Sequence, residues 1–173
     1  MKLLKSLSLI TVISLVTSFT AKQEFKTITN QGITIQYPTD WEILKMDGYP
    51  ILVKEKAKST EYAVLCNFVV EIDNNFKSLE AYIEQYKIKM RTNEYLKNWK
   101  IESDNKIKFK GYNGREFVTT CSASGYKSKS RVILIQQGKQ TFNFNTTSSL
   151  SDYEKNKIIT DGIFDSVTLE KKK

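Results

Sequence analysis

The chain has 173 residues, 27 Lys and Arg against 19 Asp and Glu, a formal net charge of +8, 2 Cys and no His. Its length suits one domain with a buried core, and 40% hydrophobic with 12% aromatic residues is too rich for a disordered chain. Without His there is no His-based triad, no His-ligated zinc or haem and no histidine pH switch, and two Cys cannot build a Cys-only zinc site or an iron–sulfur cluster.

Residues 1–21 read as a secretory signal peptide: Lys2 and Lys5 form a basic start, an apolar run follows from Leu7 to Val16, and small residues close it at Thr17, Ser18, Thr20 and Ala21. Cleavage is expected after Ser18 or Ala21. The alternative, an uncleaved anchor, suffers from an apolar run shorter than the roughly 20 residues that span a bilayer. Removing Lys2 and Lys5 from the 27 basic residues leaves 25 against 19 acidic ones, a mature charge of +6. Export permits a Cys66–Cys121 disulfide, with two buried thiols as the alternative. It also argues against nucleic acid as a partner.

Residues 23–29 and 33–37 read as a hairpin around Asn30-Gln31-Gly32, stopped by Pro38. Thr39 or Asp40 is expected to cap a short helical turn carrying Trp41, Ile43 and Leu44. Residues 48–54 form a third strand with Pro50 at its start or on an edge. Residues 63–72 are apolar on both faces and are therefore expected in the middle of the sheet. Ser78 caps a helix expected over 79–98, striped by Leu79, Tyr82, Ile83, Tyr86 and Met90. Strands follow at 106–110, 115–123, 131–135 and 141–145, separated by glycine turns and hence antiparallel. The first of these sets Ile107 and Phe109 against a lysine row, and the last sets Phe142 and Phe144 against Asn143 and Asn145. Ser151-Asp152-Tyr153-Glu154 reads as a capping box opening a second helix toward Phe164. The expected fold is α+β: a single domain over 22–170 with a central antiparallel sheet flanked by helices on both faces, followed by a basic tail at 171–173.

The order of these features resembles the PsbP/DcrB-like group. The resemblance rests on the N-terminal hairpin, Ile35-Gln36-Tyr37-Pro38-Thr39-Asp40-Trp41, the helix opening Ser78-Leu79-Glu80, the turn Lys110-Gly111-Tyr112-Asn113-Gly114-Arg115, and the closing Ile163-Phe164-Asp165-Ser166-Val167. The group usually closes with Ser-Phe, where this chain has Ser166-Val167. The resemblance spans nearly the whole mature chain and implies a PsbP-like α/β/α sandwich. Members attach to a photosystem, bind a small GTPase or reside in bacterial envelopes. It therefore implies binding rather than catalysis, with no cofactor and no shared site constellation to carry over.

Several residues are candidates for that binding. Tyr37, Pro38 and Trp41 form either an aromatic platform or a core anchor. Lysines 54, 56 and 58, the row Lys106, Lys108 and Lys110, and Lys127, Lys129 and Arg131 form either a basic surface for an anionic partner or solvated strand faces. Tyr112 and Tyr126 lie in turns beside two of these groups. A carrier pocket between sheet and long helix, lined by Tyr82, Tyr86 and Phe68, is the second reading. Glu71, Asp73, Asn74 and Asn75 lack the calcium-loop pattern and read as a helix-entry loop. Ser122-Ala123-Ser124-Gly125 lacks a nucleophile elbow and a base. Asn145-Thr146-Thr147 matches a glycosylation acceptor, relevant only to a eukaryotic secretory route. The expected protein is an exported, monomeric, non-enzymatic binding protein of the bacterial envelope, partnered by an envelope protein or an anionic surface and with no membrane span after cleavage.

Overall fold

The computed structural model describes residues 23–57 and 65–170. The expected signal peptide, the basic tail, Lys58 and the start of the 63–72 strand lie outside the described residues. Among the described residues no helix is long and apolar enough to cross a membrane.

The chain forms an N-terminal hairpin, β1 (Phe25–Asn30) and β2 (Ile33–Pro38), joined late by β10 (Thr168–Leu169) on the far side of β2. A second sheet of seven strands runs in the order β3-β4-β5-β9-β8-β7-β6, with every pairing antiparallel. Its strands are β3 (Trp41–Ile43), β4 (Ile51–Glu55), β5 (Asn67–Asp73), β6 (Lys97–Phe109), β7 (Tyr112–Ala123), β8 (Tyr126–Gln137) and β9 (Gln140–Ser149). Two helices, α1 (Leu79–Thr92) and α2 (Tyr153–Ser166), complete an α+β fold. The meander β6–β9 follows from its turns. Lys110-Gly111 and Ser124-Gly125 each place two successive residues at positive φ, the backbone of a hairpin turn whose twist matches the strands it joins.

The alternation along β8 splits the core in two. Ile133 and Ile135 cluster with Phe68 and Val70 of β5, Phe142 and Phe144 of β9, and Ile163 and Phe164 of α2. Val132 and Leu134 cluster with Phe117 of β7 and with Tyr82, Ile83 and Tyr86 of α1. The Ile135 side is the larger, because Ile33, Ile35 and Tyr37 of the small sheet join it. Phe164 packs edge-on to Phe68 at 5.2 Å. Ser166 ties α2 to the small sheet, its hydroxyl accepting from the Gln36 amide at 2.8 Å.

Four expectations change. Residues 41–43 form β3 instead of a helical turn: Trp41 is buried, Glu42 reaches Lys54 at 2.8 Å, and this period of two pairs the segment with β4. The first helix ends at Thr92, six residues short of the expected 98, with Asn93 already extended, and β6 starts at Lys97. β6 is thus 13 residues long, and register shifts between Lys97 and Lys100 and between Ile101 and Ser103 interrupt the alternation that would have announced it. At α2 the N-cap is Asp152, one residue beyond Ser151. Its carboxylate accepts from the Ser149 and Ser151 hydroxyls, so no capping box closes. Finally, β5 is an interior strand as expected, but only its Phe68 side is sealed; Asn67, Val69 and Glu71 on the other side are half-buried. The cause is where α1 lands. Its buried residues rest on β7 and β8, and only its edge reaches toward β9 and β5.

Candidate binding cleft

That overhang leaves a cleft of about 350 Å³ between α1 and the uncovered part of the sheet. Its floor comes from two neighbouring strands. Glu71 pairs with Asn143, Val69 with Asn145 and Asp73 with Thr141, so these residues share the side of the sheet opposite Phe68, Val70, Phe142 and Phe144. Tyr82 and Tyr86 of α1 form the wall, with Gln85, Lys89 and Met90 above them, and the loop Asp47-Gly48-Tyr49 closes one end. Phe76 stands edge-on to Tyr82 at 5.0 Å and fixes its ring at the helix entrance.

The polar groups of the floor are partly spent on one another. The Asn143 side-chain amide donates to Glu71 Oε2 at 3.3 Å. Burial raises the Tyr82 hydroxyl pKa, the Glu71 carboxylate raises it further, and a hydrogen bond with Asn143 opposes the shift. Burial likewise raises that of Tyr86, aided by Tyr82 and Glu71. Three residues lining the cleft carry a buried polar atom with no hydrogen-bond partner among the described residues: the Tyr86 hydroxyl, Asn143 Oδ1 and Asn145 Oδ1. Buried polar atoms of folded proteins are otherwise almost always paired.

Of the residues expected to line a carrier pocket, Tyr82 and Tyr86 lie at this cleft and Phe68 does not. Phe68 is fully buried on the other side of β5, because its even position points it at Phe164. Sequence reasoning placed Glu71 and Asp73 in a helix-entry loop and set Asn143 and Asn145 opposite Phe142 and Phe144 without assigning them to a site. The available signal was a pair of Asn where a strand facing a helix would carry Val or Ile.

The other candidates do not converge. Tyr37 and Trp41 are 5% and 4% exposed and belong to the core cluster, leaving no aromatic face to form a platform. Tyr112 is half-buried against the same cluster. Lys106 and Lys108 lie on the Leu134 side of the sheet, by register through Arg115 and Asn113 of β7. Lys129 and Arg131 lie on the Ile135 side and are engaged there: Lys129 pairs with Glu102 at 3.1 Å and lies over the Tyr153 ring, while Arg131 pairs with Glu116 and Asp161 at 2.7 Å each. Lys110 Nζ donates to the Asp165 carbonyl at 2.7 Å. No single basic surface gathers these residues. Cys66 and Cys121 are free thiols, so the disulfide alternative fails. β9 and β8 stand between their strands, and they face opposite sides, Cys66 with the Phe68 cluster and Cys121 in line with Phe117.

No family model matches the chain, and no curated protein matches it by sequence. Solved structures do match its fold. LpqN of Mycobacterium tuberculosis, a protein involved in cell envelope biogenesis, aligns with a TM-score of 0.60 at 10% identity, covering 86% of this chain and 91% of its own. The cyanobacterial PsbP of Synechocystis aligns at 0.60 and 9% identity, over 88% and 96%. The Ran-binding protein Mog1p of Saccharomyces cerevisiae aligns at 0.59 and 10% identity, over 85% and 96%. At this identity the likeness is one of fold, and the chain has the PsbP-like fold that its element order suggested.

Proposed function

We propose that the chain is an exported, non-enzymatic binding protein of the bacterial cell envelope, acting as a monomer without a cofactor, and that it binds through the α1 cleft. The carrying observation is the cleft itself, where orphaned acceptors of Asn143 and Asn145 stand beside the Glu71 carboxylate. The basic-then-apolar run at residues 1–21 supports export, as does the envelope role of the LpqN structure. An α/β/α sandwich is the architecture that accompanies this reading, since α1 clusters with Val132 and Leu134 while α2 clusters with Ile133 and Ile135 of the same strand. A purely binding role is supported by the titrating groups: burial pushes Cys66 up to about 12 and raises Tyr82 and Tyr86, and Arg115 holds Asp104 down, so these shifts move away from neutrality.

Carriage of a small molecule is the second reading, favoured by a cleft volume within the usual range for such sites. The floor of Glu71, Asn143 and Asn145 suits a polar molecule better than a lipid, whose acyl chain would desolvate these groups without pairing them. Fractionation with mass measurement tests export: the expected species begins between residues 19 and 22 and is found in the envelope, and a cytosolic chain beginning at Met1 overturns it. Capture from envelope extract tests the site. Binding should be lost in Gln85→Trp, which fills the cleft from the exposed face of α1. Equal capture by both forms would move the site elsewhere.

A further inference from the structure

The cleft is acidic in a basic protein. Asp47, Glu71 and Asp73 line it against one cation, the exposed Lys89 at its mouth, while the whole chain carries a net charge of +8. Carboxylates alone would carry no argument, but the buried atoms beside them do. Asn143 is 4% exposed, and its amide nitrogen is committed to Glu71, which fixes the flip of the side chain and leaves Oδ1 as an unpaired acceptor. Asn145 Oδ1 is a second unpaired acceptor two residues along the same strand and on the same side. On α1, Tyr86 is 6% exposed and its hydroxyl also has no partner.

Acceptors in excess call for donors, and carboxylates call for positive charge. An anion would meet Asp47, Glu71 and Asp73 and find few donors. A neutral apolar group would leave both Asn acceptors buried and unpaired, at roughly 1–3 kcal/mol each. A divalent metal requires clustered ligands, and among the described residues no group of three or more His, Cys, Asp or Glu is placed to hold one. An ammonium group supplies three donors and one positive charge in a compact head. The tyrosine wall of Tyr82 and Tyr86 adds aromatic faces and apolar surface for an alkyl stem.

We infer that the cleft between α1 and strands β5 and β9 binds a protonated primary amine, its ammonium held by Glu71, Asn143 Oδ1 and Asn145 Oδ1 and its alkyl stem laid along Tyr82 and Tyr86. This inference rests on the proposed binding role and names the chemistry of its site. The amine belongs either to a free small molecule or to a lysine side chain of a protein, and the two sources share this chemistry.

The test is a ¹⁵N NMR titration of the full mature chain with four probes: cadaverine, Nα-acetyl-lysine methyl amide, 1-pentanol and glutarate. The two amines should shift amides of α1 and of residues 71–73 and 143–145, and the tighter of the two identifies the source. Glu71→Gln should weaken both at least tenfold with the remaining spectrum unchanged. Should that variant misfold, Asn145→Leu, which removes an acceptor and no charge, should weaken them severalfold. Lys89→Gln should strengthen binding by removing the competing cation. Pentanol or glutarate binding as well as the amines would overturn the amine assignment and leave cleft binding standing. Amines that shift no cleft amide, or whose affinity is untouched by Glu71→Gln and Asn145→Leu, would also overturn it. The broader binding role is judged separately, by capture of a partner and its loss in Gln85→Trp.

Discussion

Arg131 lays its guanidinium 4.5 Å from the ring centroid of Phe164 and thereby fastens α2 to β8. The same group bonds Glu116 of β7 and Asp161 of α2, so one side chain bridges two strands and a helix. Its side chain is 23% exposed, which leaves the ion pairs only partly screened. Arg131→Ala removes both pairs, the stacked contact and the packed stem, and should cost about 2–3 kcal/mol. Arg131→Lys keeps the charge but loses the fork and should cost about half of that. Urea unfolding of the two variants checks the order; an Arg131→Ala midpoint equal to the parent's would mean that the bridge contributes nothing.

Much of this framework is legible in the sequence, for a physical reason. Phe68 and Val70, Ile133 and Ile135, and Phe142 and Phe144 alternate with less apolar residues or pair with a second apolar set, and all six are buried in one cluster. Gly111 and Gly125 mark their turns because two successive positive φ values favour glycine there. Short or interrupted patterns misled. Residues 41–43 are too few to declare a period, and the shifts near Lys100 and Ile101 hide the first half of β6 behind what reads as more helix. The cleft was illegible for another reason. Whether Asn143 and Asn145 face water or an overhanging helix depends on where α1 lands across the sheet, and that is set by its packing on Val132 and Leu134 of β8 and Phe117 of β7.

Gly114 is required by the closeness of β8. A Cβ built on it would lie 2.7 Å from Ile135 Cγ2 and 2.8 Å from the Leu134 carbonyl oxygen. The isoleucine can turn, but the carbonyl belongs to a strand hydrogen-bonded on both sides. Gly114→Ala should therefore destabilise by about 2–4 kcal/mol through overpacking. Gly162→Ala is the control, since nothing lies within 4 Å of a Cβ there; it should be neutral or stabilising by up to about 1 kcal/mol in a helix. Thermal melts of the pair give the comparison, and equal effects would contradict it.

The two thiols should differ sharply in reactivity. Cys66 is 1% exposed, with its pKa pushed up to about 12 by burial and then by Glu55. Cys121 is half-buried and shares a 3.2 Å contact with the Ser128 hydroxyl. Iodoacetamide at pH 8 should alkylate Cys121 in the native protein and reach Cys66 only after unfolding, because the reactive species is an exposed thiolate. Peptide mass mapping before and after urea distinguishes the sites. A mass two hydrogens short of the free dithiol would contradict the placement of the cysteines on opposite sides of the sheet.

Alkali should weaken the fold. Burial holds Cys66 protonated to about 12 against an ordinary 9.0, and raises Tyr82 and Tyr86 above an ordinary 10.0. In the unfolded chain these groups lose their protons first, so the unfolded state binds fewer protons and stability falls as pH rises. The contribution is intact below pH 9 and is lost progressively from there toward pH 12. Replacing Tyr86 with Phe removes one such group together with its unpaired hydroxyl. Tyr86→Phe should therefore unfold at higher pH than the parent and, at neutral pH, be as stable or up to about 1 kcal/mol more stable. Circular dichroism across pH 8–12 reads the shift, and a parent chain whose stability rises over that window would contradict the burial of these three groups.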